Sequence, residues 1–266
     1  MEREKTILYA LEDPPLFRAI VETLARHRVN ALSPGAGVVA AGLAFLGTRY
    51  GARILEREGP ERLIINLREL DCFTFLENAV VLERLVRTGA TSFADYAATL
   101  RRLRYRNGVM DGYASRLHYF SDWLHDAEEK GFARNATAAI GGQQLLKPVH
   151  YMTQHPESYP ALENGETCRR MREIEERISS LRLYFLPRES LRSVEDQIWN
   201  GDILAITTDM PGMDVTHVGI AFRLRRRVHL LHASKLAGKV LISPETLYGY
   251  LMKKKGRTGV MVARVE

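Results

Sequence analysis

The stretch Glu69-Leu70-Asp71-Cys72-Phe73-Thr74-Phe75-Leu76-Glu77 decides how this chain is read. From Cys72 to Val86 the residues are good helix formers. Cys72, Phe75, Ala79, Leu82 and Val86 share one helical stripe, with Phe73, Leu76 and Val80 beside it. Val81 and Leu85 fall on the opposite side, and a helix apolar nearly all round is a buried one. Asp71 stands where a carboxylate caps a helix by accepting N–H groups of its first turn. Cys72 then occupies the first helical position. A thiol reacts as its thiolate, and a free thiol has a pKa of ~8.5. Unpaired N–H groups at a helix start favour the anion. They can also stabilise an oxyanion forming on an attacked carbonyl. The competing reading is an ordinary buried cysteine, as most free cysteines are.

A cysteine nucleophile needs a base, and the base needs a third group to orient it. Eight histidines are present. His217 lies in Asp214-Val215-Thr216-His217-Val218-Gly219-Ile220-Ala221, which reads as a strand. Val215, His217, Gly219 and Ala221 should share one face, with Val218 and Ile220 on the other. Small Gly219 leaves room for a neighbouring helix terminus. His232, in Leu230-Leu231-His232-Ala233-Ser234, should sit on the adjacent strand. Cross-strand neighbours lie ~5 Å apart, within hydrogen-bonding reach. A metal alternative rests on His118, Asp122 and His125, which share one face if their segment is helical.

Outward from these motifs, the first ~180 residues read as mostly helical and the rest as mostly strand. Segments Pro14–Arg28 and Pro34–Leu46 read as helices, the second with Ser33 as cap and proline at its first position. Ser92 and Asp95 resemble a capping box, followed by the stripe Phe93, Tyr96, Ala97, Leu100 and Leu103. Thr167–Tyr184 carries Cys168, Met171, Ile174, Ile178 and Leu181 at helical spacing, so Cys168 reads as core. Strands are expected over Asp202–Thr208, Thr216–Leu224, Arg227–Ala233, Lys239–Ser243 and Gly259–Val265. The first four follow each other too quickly for parallel crossovers, which implies antiparallel pairing. Helices first and an antiparallel sheet second is an α+β layout.

The 266 residues suit one domain, with 1–37 as a helical N-terminal extension. Hydrophobic residues make up 45% and charged residues 26%, ordinary for a globular protein. The net charge is +6 and the pI about 9.4, which favours anionic partners. Arg101, Arg102, Arg104 and Arg106 read as a solvated helix face, and Arg223, Arg225, Arg226 and Arg227 as a hairpin tip. Neither run has aromatics interleaved for stacking on bases, so nucleic acid is not an expected partner. Two cysteines, Cys72 and Cys168, leave one disulfide open and give no CxxC pair. The opening Met1-Glu2-Arg3-Glu4-Lys5 carries no apolar run, so no secretory signal is visible. No stretch approaches the ~18 apolar residues of a membrane span.

The pieces resemble, in their order, the NlpC/P60 superfamily, and within it the AmiA-like N-acetylmuramoyl-L-alanine amidases (DUF1460). They are Phe45-Leu46-Gly47-Thr48-Arg49-Tyr50, Leu70-Asp71-Cys72-Phe73-Thr74-Phe75-Leu76-Glu77 and His118-Tyr119-Phe120-Ser121-Asp122-Trp123. They continue with Gly201-Asp202-Ile203-Leu204-Ala205-Ile206-Thr207, Asp214-Val215-Thr216-His217-Val218-Gly219 and Leu231-His232-Ala233-Ser234. The resemblance runs from about Val38 to the C-terminus. It implies a papain-like core, a central helix packed on an antiparallel β-sheet, with additional N-terminal and inserted helices. It implies a cysteine amidohydrolase acting on bacterial cell-wall peptidoglycan fragments (muropeptides), with no cofactor and no metal. Carried over, Cys72 is the nucleophile, His217 the base, His232 the orienting group and Tyr50 a hydroxyl near the oxyanion. Asp71 would meet a substrate amine, and Arg116, Tyr119, Ser121 and Asp122 would line the cleft. Arg49 stands where proline is common, the Trp-Gly-Gly after the tyrosine is missing, and Phe73-Thr74 replaces Ser-Gly. These departures favour the AmiA-like branch over the γ-D-glutamyl-diamino-acid endopeptidases, which remain the alternative enzyme. The non-enzyme alternative is a catalytically silent wall-binding module. The family implies a periplasmic or extracellular setting, with cytoplasmic muropeptide recycling left open. The oligomeric state is also left open.

Overall fold

A computed structural model describes residues 7–266; the charged opening Met1–Lys5 lies outside them. The helices are α1 (Asp13–Arg26), α2 (Pro34–Leu43), α3 (Cys72–Thr88), α4 (Phe93–Arg104), α5 (Phe120–Glu129), α6 (Tyr151–Gln154), α7 (Gly165–Ser180), α8 (Leu191–Val194) and α9 (Leu247–Met252). The strands are β1 (Ile7–Leu8), β2 (Arg49–Tyr50), β3 (Leu63–Ile64), β4 (Glu69–Leu70), β5 (Ala133–Asn135) and β6 (Gln143–Gln144). They continue with β7 (Tyr184–Pro187), β8 (Ile203–Thr208), β9 (Val215–Leu224), β10 (Arg227–Ser234), β11 (Lys239–Thr246) and β12 (Arg257–Val265).

The principal sheet runs β4-β2-β11-β10-β9-β8-β12-β7-β6, and β5 also pairs with β12. Its long central strands are antiparallel, as their short connections require. The sheet as a whole is mixed, because β2 and β4 pair in parallel. That differs from a purely antiparallel expectation, and the cause is the segment from Gly51 to Arg68. It is long enough to return the chain alongside β2 before α3 begins. Between β9 and β10, Arg225 and Arg226 form the expected tip, both with positive φ (48° and 69°).

The sheet separates two apolar layers. On one side, Val218, Ile220, Leu231 and Ala233 pack with Phe75, Leu76, Ala79 and Leu82 of α3. Phe17, Ile20 and Leu24 of α1 join the same core, and the Phe17 ring lies 4.9 Å from Tyr96. On the other side, Leu204, Ile206, Ala221 and Leu230 pack with Leu247 and Leu251 of α9. Val215 was expected to share a face with Ala221 but packs against the α3 side. The register shift beside Ile206 and Thr207 changes the alternation there.

The capping signals sit where the sequence places them. Ser33 Oγ accepts the Ala36 N–H, and Ser92 and Asp95 close a reciprocal box. Arg104 departs from expectation: it is buried rather than solvated. Its Nε donates to Glu77 Oε2 at 2.7 Å and its Nη1 to the Ile64 carbonyl at 2.5 Å. The buried Glu77 carboxylate draws the guanidinium inward, because a buried charge needs a partner. Cys72 and Cys168 are both free, which removes the disulfide.

Candidate active site

The site begins at the α3 N-terminus. Asp71 Oδ1 accepts the Phe73 N–H at 3.1 Å, the Thr74 N–H at 2.8 Å and the Thr74 hydroxyl at 2.8 Å. Thr74 Oγ1 in turn accepts the Asp71 N–H at 3.0 Å, completing a capping box. These bonds fix the first turn and hold Cys72 at its start. Cys72 keeps part of its surface open, yet protein atoms crowd its sulfur. Burial therefore pushes the thiol up to about 12, and the Asp71 charge adds to the rise. The N–H groups of Val218, Cys72 and Phe73 oppose it. The helix start favours the anion, as the sequence suggests, but burial outweighs it and the resting group is the thiol.

The Val218 N–H that favours the thiolate belongs to β9, one residue past His217. His217 Nε2 and His232 Nδ1 lie 2.6 Å apart, so one imidazole donates its N–H to the other. Continuing the pairing of Leu231 with Ile220 sets His232 beside Gly219, diagonal to His217 rather than opposite it. Gly219 makes room for β10 rather than for a helix end. A Cβ there would lie 2.9 Å from the Leu231 carbonyl oxygen and 3.0 Å from His232 Cβ. Burial, the neighbouring His232 and the Arg257 charge hold His217 down to about 3. Burial and Arg257 hold His232 down to about 4. Both rings are neutral at pH 7. Among the described residues no hydrogen bond joins Cys72 to His217.

Tyr50 reaches the site through the parallel pairing of β2 with β4, which sets it beside Leu70, two residues before Cys72. Its hydroxyl is pushed up to about 12 by burial, with the Cys72 and Asp71 charges adding to the rise, so it stays a donor. The four residues expected to line the cleft turn inward instead. Arg116 is 5% exposed and pairs with Glu56 at 2.9 Å and Glu61 at 3.4 Å. Tyr119, 5% exposed, donates to Glu175 at 2.6 Å. Ser121 donates its N–H and hydroxyl to Asp214 Oδ2, both at 2.8 Å. Asp122 is buried between Arg106 and Arg177. Each is a polar group carried into the interior that must be satisfied there. The metal alternative does not converge: His118 precedes α5 and bonds the Tyr113 carbonyl, Asp122 is paired, and His125 is half-buried beside Glu129. Among the described residues no three His, Cys, Asp or Glu side chains are grouped to hold a metal.

Three residues escaped the sequence reading. Asp214 is buried at the head of β9 and ties it to α5 through Ser121. Tyr250 of α9 lies 6.1 Å from the His217 ring and 5.6 Å from His232, centroid to centroid. The Arg257 guanidinium stacks 3.7 Å above the Tyr250 ring. Asp214 was legible as a polar residue before a strand. Tyr250 and Arg257 carried no signal, because only tertiary packing brings them to the pair.

Fold and site together define an α+β protein in which a helix-start cysteine is set against a sheet bearing two coupled histidines. The chain belongs to the AmiA-like, N-acetylmuramoyl-L-alanine amidase-like family, whose model matches residues 40–260. A solved N-acetylmuramoyl-L-alanine amidase from Bacteroides uniformis is 36% identical, with a TM-score of 0.82 over 88% of this chain and 99% of that one. A Bacteroides fragilis structure described as a candidate xylanase is 41% identical, with a TM-score of 0.78 over 85% and 99% of the two chains. A Legionella pneumophila protein assigned to DUF1460 shares the fold, with a TM-score of 0.67 over 93% of each chain at 20% identity. No curated protein matches the sequence. No helix among the described residues is long and apolar enough to cross a membrane.

Proposed function

We propose that this protein is a cysteine-dependent peptidoglycan hydrolase with an NlpC/P60 papain-like core, cleaving the amide between N-acetylmuramic acid and L-alanine. The observation that carries the reading is the Asp71-capped start of α3 that holds Cys72, together with a histidine pair in which His232 Nδ1 occupies Nε2 of His217 at 2.6 Å. That leaves Nδ1 of His217 for the thiol. Since both groups rest neutral, His217 acts as a general base during attack. The S–H proton passes to Nδ1 as sulfur bonds the lactyl carbonyl carbon. The oxyanion forms near the Tyr50 hydroxyl and the first N–H groups of α3. The imidazolium returns its proton to the leaving nitrogen as the C–N bond breaks, leaving a thioester. Water, deprotonated by His217, then releases the acid and restores the thiol. Contacts between nucleophile and base commonly tighten only in the substrate complex. All the capping bonds of Asp71 fall on Oδ1, which leaves Oδ2 to face a substrate amine.

Support also comes from the Bacteroides uniformis amidase, which covers nearly the same length. Xylan hydrolysis, the description of the Bacteroides fragilis relative, takes two carboxylates flanking the bond. Here the groups at the site are a thiol, two imidazoles, a phenol and Asp71, a set suited to acyl transfer. The test is the product mass from purified muropeptides. Wild type should release free stem peptide, and Cys72→Ala should lose at least ~10³-fold in rate. Products cut after D-glutamate would replace this reading with the endopeptidase. Full activity in Cys72→Ala would remove the cysteine mechanism.

A further inference from the structure

A cavity of about 300 Å³ lies between α7 and the turn that follows α4, lined by Arg106, Arg170, Glu173, Ile174 and Arg177. That volume is the lower end of the ~300–1,000 Å³ of small-molecule sites, room for one small group. Arg170 and Arg177 share a face of α7, at i and i+7. Buried Asp122 ties Arg177 to Arg106. Its Oδ1 accepts Arg177 Nη2 at 2.5 Å, and its Oδ2 accepts Arg106 Nη2. One carboxylate thus answers two cations. Elsewhere the buried guanidiniums are matched: Arg104 has Glu77, and Arg116 has both Glu56 and Glu61. Arg106 spends Nη1 on the Ala114 carbonyl at 2.9 Å, and its Nε is buried with no hydrogen-bond partner among the described residues. The Arg177 guanidinium makes no other hydrogen bond among them, and its side chain is 44% exposed. Arg170 bonds Asp111 at 2.9 Å, but that carboxylate is 71% exposed, and a pair so open to water is weak. Glu173, the carboxylate in the lining, is paired with Arg169.

We propose that this cavity binds the phosphate group of a small soluble phosphomonoester, with Arg170 and Arg177 donating to its oxygens and Arg106 adding its charge. The charge balance selects the ligand. Arg106 and Arg177 over Asp122 leave one positive charge, and Arg170 turned from Asp111 supplies a second. A phosphomonoester carries about −1.5 to −2 at pH 7 and answers both. Geometry selects it too. Guanidinium forks converging from two elements need acceptor oxygens outside one plane, which a tetrahedral phosphate offers and a planar carboxylate does not. None of the lining residues is an exposed large apolar side chain that would enter a bilayer, which favours a soluble ester over a lipid headgroup. None belongs to the set proposed for catalysis, so the ligand binds in addition to the substrate.

The test is an NMR titration in phosphate-free buffer, following the amides of Ile174 and Arg177, with inorganic phosphate, glycerol 3-phosphate and acetate as probes. Saturable shifts are expected with both phosphate probes, and affinity about tenfold or more weaker with acetate. Arg170→Gln and Arg177→Gln should each weaken glycerol 3-phosphate by a similar factor. Arg177→Gln leaves Asp122 its bond to Arg106, and Arg170→Gln loses only an exposed pair, so the thermal transitions of both should stay close to wild type. If one variant fails to fold, the other decides. Co-sedimentation with phosphatidylcholine vesicles, with and without phosphatidate, separates the two sources of a phosphate group, and no difference is expected. Acetate as tight as phosphate, no saturation with either phosphate probe, wild-type affinity in the folded variants, or capture that needs phosphatidate overturns the proposal. The titration needs no turnover, so its outcome is independent of the hydrolase reading.

Discussion

At the histidine pair, burial decides the protonation state. The folded values of about 3 and about 4 lie below the ordinary 6.5 of the free side chain. Between pH 6.5 and about 3 the unfolded chain takes up protons that the folded chain refuses. The pair's contribution to stability is therefore complete above pH 6.5 and is lost as the pH falls through that window. Asp214 works the other way: burial raises its carboxyl, so it gains a proton earlier when folded. The difference between wild type and a His217→Asn/His232→Asn variant isolates the pair. The melting temperature of wild type should drop more steeply from pH 6.5 to 4 than that of the variant, and parallel curves would contradict the assignment. Tyr250 positions both rings. Tyr250→Phe keeps the face that packs on them and should keep kcat. Tyr250→Ala frees them and should lower kcat about 10- to 100-fold with little change in KM. A rise of the imidazole titration toward 6.5 in that variant, read by NMR, separates positioning from general destabilisation.

At the scale of the element, α3 shows what a sequence can disclose. Its apolar stripes and its aspartate cap define a buried helix with Cys72 at its head, and the structure keeps both. The same helix also buries Glu77, Asn78 and Glu83, which no periodicity announces. Two of them are met from α4: Arg104 pairs with Glu77, and Asn78 Oδ1 accepts the Tyr96 hydroxyl, while Glu83 pairs with Arg87 of α3 itself. Satisfaction of a buried polar group is a tertiary fact, so Arg104 read as solvated. The two-residue strands β2 and β4 were illegible for a related reason, since two residues show no alternation. The Glu77–Arg104 pair makes a direct prediction. Glu77→Leu alone leaves a buried guanidinium unpaired and should cost about 3–5 kcal/mol. Glu77→Leu with Arg104→Met removes both charges and should recover most of that loss. The two urea midpoints measure it; equal losses would mean the pair is not coupled.

For the molecule as a whole, the sheet is the shared wall of two cores, and the site lies where one layer meets the other. Cys72 belongs with the α3 side, while Tyr250, packed on both imidazoles, comes from the α9 side. The order of motifs along the chain places Cys72 at the head of α3, Tyr50 at the end of β2 and the two histidines on the paired strands β9 and β10. It could not show which face of β9 each meets, since one register shift beside Ile206 resets the alternation. The site's geometry therefore depends on both cores holding the same sheet, and the two should melt together. Phe75 and Leu230 are each fully buried, one on either side. Phe75→Ala should cost about 3–5 kcal/mol and Leu230→Ala about 2–5 kcal/mol. Both should shift a single transition in urea, with the slope unchanged from wild type. If Leu230→Ala instead split the transition and left the α3 side melting at the wild-type midpoint, the two cores would be independent. The histidine pair would then be held by its own layer rather than by the sheet they share.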